Sequence, residues 1–152
     1  MGQTKKILVT GATGYVGGRL VRALLNNGYQ VRVFVRDAKK VSQYNWSEAV
    51  EVFTGDVTNF ESVKAALTGV DTAYYLLHSI NSTLKFDAVE RDMASTFGKA
   101  AAEAKINQII YLGGIANDSK SSKHLKSRAE TGKVLASYGV PVLEMRAGII
   151  IG

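Results

Sequence analysis

Lys6-Ile7-Leu8-Val9-Thr10 runs directly into Gly11-Ala12-Thr13-Gly14-Tyr15-Val16-Gly17, and this stretch decides the fold. Residues 6–10 are a short apolar run of the kind that forms a buried strand, ended by Gly11. Across residues 14–27, Val16, Leu20, Ala23 and Leu24 fall at helical spacing, and Asn27-Gly28 stops the helix. Glycines three apart fill the junction. Gly11 permits a tight turn, Gly14 lets backbone come close to a bound group, and Gly17 lets the helix pack against the strand. The helix N-terminus adds free N–H groups and the positive end of its dipole. Strand, glycine loop and helix start together suit a diphosphate.

Outward from this junction the chain alternates apolar runs with amphipathic segments. Strands are expected at 30–35, at 50–54 after a loop carrying Trp46, at 72–77, at 108–112 and at 142–151. Thr58-Asn59-Phe60-Glu61 reads as a capping box, with Thr58 as the cap and Glu61 reaching back. The helix it opens carries Val63, Ala66 and Leu67 and ends at Gly69. Phe86, Val89, Met93, Phe97, Ala100 and Ala104 place one apolar face along a helix over 86–104. A further helix covers 122–138, closed by Gly139 and Pro141. Alternating strands and helices call for an α/β fold: a doubly wound parallel sheet of six strands, order 3-2-1-4-5-6, with helices on both faces.

Composition narrows the function classes. A length of 152 residues suits one domain with its own core. Cysteine is absent, which excludes disulfides and thiolate metal sites, and His78 and His124 are the only histidines, so no metal site is expected. The net charge of +6 suits an anionic partner such as a nucleotide phosphate. No basic run exceeds two residues and no aromatic-interleaved RNA motif occurs, so nucleic acid is not the expected partner. No signal peptide, myristoylation motif or stretch of about 18 apolar residues appears, and a cytoplasmic location is the default expectation.

The loop Thr10-Gly11-Ala12-Thr13-Gly14-Tyr15-Val16-Gly17 is spaced G-x-x-G-x-x-G. With Gly55-Asp56-Val57, residues 74–79, Tyr111-Leu112-Gly113-Gly114 and residues 146–152, it resembles the atypical and extended short-chain dehydrogenase/reductase superfamily. The nearest look-alikes are NmrA-like and NAD-dependent epimerase/dehydratase-like proteins. One departure is Ala147, where the extended enzymes carry proline. The resemblance implies an NAD(P)-binding Rossmann domain. Its cofactor loop would comprise Gly11, Thr13, Gly14, Tyr15, Val16 and Gly17. An acid at the end of the second strand accepts from a ribose 2′-OH, whereas an arginine pairs with a 2′-phosphate. This chain offers both, as Arg36-Asp37, and the fork of donors on Arg36 favours NADP(H) over NAD(H). Lys39 and Lys40 either add positive field or form a solvated loop. The resemblance sets Asp56 and Val57 against adenine; Asp56 reads equally as a loop residue capping the next helix. Leu77 and His78 close the fourth strand, and Gly113 lies at the end of the fifth; strand ends at this edge face the cofactor, although a lone histidine at a strand end is more often structural.

Enzymes of this superfamily use a Tyr-x-x-x-Lys pair with a serine. Here that slot reads His124-Leu125-Lys126-Ser127-Arg128, and the serine position reads Gly113-Gly114. His124 has a suitable pKa range for a general acid and Arg128 could hold a ribose, so these two are the candidate catalytic residues. The alternative for both is a basic, exposed helix start. The missing pair equally suits a non-catalytic, NmrA-like dinucleotide sensor. Similar proteins carry a substrate lobe after the sixth strand, and none is expected within residues 1–152. In similar proteins the 86–104 helix forms a homodimer seam; its apolar residues equally suit packing on the sheet alone.

Overall fold

A computed structural model describes residues 4–77, 86–114 and 123–148. Six strands form one parallel sheet: β1 (Lys6–Thr10), β2 (Gln30–Val35), β3 (Glu51–Thr54), β4 (Thr72–Tyr75), β5 (Gln108–Gly114) and β6 (Val142–Ala147). Their order is β3-β2-β1-β4-β5-β6, as the alternation of the sequence requires. Register sets Ile7 against Val31, Leu8 against Ala73 and Tyr111 against Glu144. The connecting helices are α1 (Tyr15–Asn26), α2 (Phe60–Leu67), α3 (Phe86–Ala104) and α4 (Lys123–Ala136).

Alternate residues along each strand feed two cores. Ile7, Val9, Val31, Val33 and Val35 pack with Val21 and Leu24 of α1 on one face. Leu8, Phe34, Ala73, Tyr75 and Ile109 pack under α2, α3 and α4 on the other, where the Tyr75 ring meets the edge of Phe97 at 5.0 Å. Both faces of the central strands are covered, which is why those strands are apolar throughout rather than alternating. Among the described residues no helix is long and apolar enough to cross a membrane.

Several boundaries differ from the sequence expectation. The start of α2 is set one residue later than the capping box proposes. Thr58 donates both its N–H (2.8 Å) and its hydroxyl (2.7 Å) to Asp56 Oδ1, so it turns back rather than forward. Asn59 caps instead, its Oδ1 accepting from Ser62 N–H at 3.0 Å. β4 stops at Tyr75, not residue 77, because Leu76 N–H turns to Thr10 Oγ1. β5 runs on to Gly114 because β6 still pairs with it there. β3 begins at Glu51, since Val50 closes a short 3₁₀ turn, Ser47–Ala49. Another such turn, Ala38–Gln43, follows β2 where a plain loop was expected. β6 is described as far as Ala147; residues 149–152 lie outside the described residues, as does Ser122.

The apolar face of α3 is rotated from the expected one. Glu90, Ala94, Phe97, Ala100 and Ala101 are buried, whereas Val89 is exposed and Met93 half-buried. The helix packs between α2 and α4 as well as on the sheet, and its alanines allow that close approach.

Candidate functional site

The glycine loop closes at the carboxyl end of β1, where the strand order reverses between β1 and β4. Gly11 takes φ +70°, a left-handed conformation that disfavours side chains, and a Cβ there would lie 3.1 Å from the Leu76 carbonyl oxygen. Gly17 sits closer still: a Cβ would lie 2.0 Å from the Gly11 carbonyl oxygen and 2.8 Å from Ala12 Cα. Any side chain there would drive α1 off the loop. Gly14 is the α1 N-cap and bonds its N–H to Gly11 O at 3.1 Å. No side chain caps α1 and no acid stands in its first turn. The first-turn N–H groups therefore remain available to an anion, with the dipole behind them. A diphosphate fits this cradle.

On one side of the crevice lie the ends of β2 and β3. Arg36 and Asp56 are exposed there. Asp56 is held below the usual aspartate range, first by the Thr58 N–H bond, then by the Thr58 hydroxyl, with the Arg36 charge adding to it. Asp37, by contrast, accepts from Lys39 N–H at 2.9 Å and caps the Ala38–Gln43 turn. Val57 is half-buried against the α2 side of the core.

On the other side lie the ends of β4, β5 and β6. Leu77 packs against the core, and His78 lies outside the described residues. Gly113 continues β5. Arg128 donates from Nη2 to the Leu112 carbonyl at 3.3 Å, while Tyr111 Oη donates to the Arg128 carbonyl at 2.8 Å. His124 lies on α4, and its side chain is outside the described residues. Tyr111 is buried, which pushes its hydroxyl above the usual tyrosine range, and its proton is committed to that carbonyl. Among the described residues no group of three or more histidines and acids could hold a metal.

Three supports of the loop escape a reading by motif. Thr10 Oγ1 is buried, donates to the Tyr74 carbonyl at 2.9 Å and accepts from Leu76 N–H, pinning β1 to β4 beneath the crevice. Tyr44 Oη donates to the Thr13 carbonyl at 2.7 Å and braces the loop from outside. The Tyr44 ring stacks on Trp46 at 4.6 Å. A cavity of about 250 Å³ opens beside α1 there, lined by Tyr15, Arg19, Arg22, Tyr44 and Trp46 among others. The only sequence signal for this brace is a pair of aromatics in an otherwise polar loop.

Fold and cradle define the class: a doubly wound Rossmann domain whose glycine loop and helix N-terminus suit the diphosphate of a dinucleotide. The chain belongs to the NAD(P)H-binding family, whose model matches residues 11–140. It is 46% identical over 68 residues to sterol demethylase protein B of Methylococcus capsulatus, covering 45% of this chain and 20% of that protein. It is 28% identical over 145 residues to auxiliary protein GraX of Staphylococcus aureus, covering 90% of this chain and 42% of that one. Among solved structures, the NADP(H) complex of triphenylmethane reductase from Citrobacter sp. superposes with a TM-score of 0.78 at 24% identity, over 93% of this chain and 48% of that one. At that identity the likeness establishes the fold. The chain thus spans less than half the length of these relatives.

Proposed function

We propose that this chain is the cofactor-holding part of an NADP(H)-dependent oxidoreductase, and that Arg36 selects NADP(H) over NAD(H). The carrying observation is the division of roles at the end of β2. Asp37 spends Oδ1 on capping its own turn, while Arg36 beside it stands exposed at the end of β2, and its charge acts on Asp56. A 2′-phosphate suits a free guanidinium and not a capping carboxylate. In this reading the glycine loop and α1 hold the diphosphate, and Asp56 and Val57 line the adenine. Leu77, His78 and Gly113 face the second half of the cofactor. The nicotinamide supplies or accepts the hydride. His124 is the candidate proton donor and Arg128 the candidate ribose ligand. The substrate-holding part is assigned to a lobe outside residues 1–152, in keeping with the greater length of the relatives.

Calorimetric titration in low-phosphate buffer tests the choice of cofactor. NADPH is expected to bind more tightly than NADH. Arg36→Ala should weaken NADPH by about 10–100-fold, the equivalent of one charge-assisted contact, and leave NADH nearly unchanged. Equal affinities in the parent chain would sink the assignment. A dinucleotide sensor is the second reading, favoured by Gly113-Gly114 and His124…Arg128 standing where a serine and a Tyr-x-x-x-Lys pair would be. Turnover that survives intact in His124→Ala would remove that histidine from any chemistry.

A further inference from the structure

One side of α1 carries residues that the diphosphate cradle does not use. Tyr15, Gly18, Arg19 and Arg22 stand three or four positions apart, so they share one stripe of the helix. Gly18 falls outside the G-x-x-G-x-x-G spacing. A Cβ there would lie 3.0 Å from Tyr44 Cε1, so its hydrogen lets the Tyr44 ring lie against the helix. Trp46 stacks on that ring at 4.6 Å. Between the helix stripe and the two rings opens the cavity of about 250 Å³. Arg36, Asp56 and Val57, which the adenosine half of a dinucleotide would use, are not among its lining residues.

Two guanidiniums stand at this cavity without a counter-ion. Arg19 donates from Nη1 to the Tyr15 carbonyl at 3.2 Å and lies over the Tyr15 ring, its Cζ 3.6 Å from the ring centre. Arg22 donates from Nη2 to Asn45 Oδ1 at 3.1 Å. Both anchors are neutral, and neither arginine enters an ion pair among the described residues. No acid lines the cavity. Trp46 supplies a second, independent signal. The residue is only 5% exposed, and its Nε1 is buried with no hydrogen-bond partner among the described residues. A buried indole N–H normally finds an acceptor. An unsatisfied donor therefore stands in the wall of a cavity whose charged groups are both cations.

Aromatic walls and a pair of anchored cations select a flat anion. The volume suits one ring with one acidic group, since a cavity of about 150 Å³ already accepts benzene. We propose that this cavity is a binding site for a small aromatic carboxylate, separate from the dinucleotide crevice. The ring lies among Tyr15, Tyr44 and Trp46. The carboxylate takes donors from Arg19 and Arg22, whose planar forks match its geometry. The Trp46 N–H is a further donor left for the ligand. The site does not depend on which dinucleotide the crevice holds, or on whether it holds one.

Trp46 is the only tryptophan of the chain, so its fluorescence reads this cavity directly. Benzoate is titrated against that emission and, separately, by calorimetry, beside acetate, benzyl alcohol and inorganic phosphate. Benzoate should saturate with a Kd below about 1 mM, and the other three should bind at least about tenfold more weakly. Arg19→Met and Arg22→Met keep the stem and the helix propensity, and each should weaken benzoate about tenfold. Asn45→Asp leaves both arginines in place but pairs Arg22 with a carboxylate, so it should weaken benzoate about threefold with Tm unchanged. Saturation with 2′,5′-ADP, the adenosine half of NADPH, should leave the benzoate affinity unaltered. Absence of saturation in both readouts, or equal binding of acetate, benzyl alcohol or phosphate, would overturn the proposal. So would displacement of benzoate by 2′,5′-ADP, which would return the cavity to the cofactor site. Where a methionine variant lowers Tm, Asn45→Asp decides, and unaltered benzoate affinity there would count against the arginine pair.

Discussion

Gly17 shows how much can hang on one missing methyl group. A Cβ 2.0 Å from the Gly11 carbonyl oxygen cannot be absorbed by a side-chain rotation, because the obstacle is backbone. Gly17→Ala should therefore destabilise the chain by about 2 kcal/mol or more and abolish dinucleotide binding, since α1 must retreat from the loop. Denaturant midpoints and a titration on the same sample check both. Tyr44→Phe is a milder probe. It removes the bond to the Thr13 carbonyl, at a cost of about 1 kcal/mol, and leaves the stack on Trp46 in place.

Two elements depend on contacts that look minor in isolation. The start of α2 rests on Asn59, not Thr58. Asn59→Ala should cost about 1 kcal/mol in a denaturation series, while Thr58→Ala should leave the cap intact. The far end of α2 is held by Arg32 of β2. Its guanidinium donates to the carbonyls of Ala66 (2.6 Å) and Thr68 (2.9 Å) and to both oxygens of Glu51 on β3. One buried arginine thus ties two strands to a helix. Removing it leaves the α2 carbonyls without their donor, while Glu51 keeps Lys6 at 3.3 Å, so Arg32→Met should cost about 2 kcal/mol. The Arg32 hydrogen bond holds the Glu51 carboxyl below its ordinary value of 4.5. A depressed carboxyl contributes stability that is complete above the unfolded value and is lost as pH falls through the folded one. The stability gap between the parent chain and Glu51→Gln should accordingly be open near neutral pH and close as pH drops below 4.5.

At the scale of the whole molecule the two faces of the sheet are unequally covered. α2, α3 and α4 lie over one face, and their joint core includes the fully buried Phe97. Phe97→Ala should cost about 3–5 kcal/mol, the largest loss expected of any core truncation named here. α1 and the two 3₁₀ turns cover the other face over β1–β3, and Leu143 and Met145 of β6 are left exposed there. A dinucleotide bound across the β1–β4 crevice would touch both halves of the sheet and stabilise the folded molecule as a unit. At a hundredfold excess over Kd a dinucleotide adds about 2.7 kcal/mol, or roughly 5–10 °C in Tm. A melting temperature that moves with neither NADPH nor NADH would contradict NAD(P)H binding by this chain.

Residues 6–17 already carried the strand, the loop, the helix start and the reason for a diphosphate, because those features depend on local backbone geometry and on glycine spacing. The alternation of apolar runs carried the strand order, because parallel strands with right-handed crossovers leave few alternatives. What remained hidden depends on competition between neighbouring polar groups and on contacts between residues distant in sequence. Asn59 takes the cap because Asp56 has already claimed Thr58, and β4 ends where Thr10 captures Leu76. The buried face of α3 follows its packing between two other helices rather than its own periodicity. The Tyr44 brace spans 31 positions, and the Glu144 carboxylate comes to lie between Gly113 and Gly132 only after β5, α4 and β6 have packed. Sequence by itself determined the class of fold and the cradle, which are built from neighbours along the chain. Tertiary structure alone decided which side chains support that cradle, because packing brings together groups that no local pattern relates.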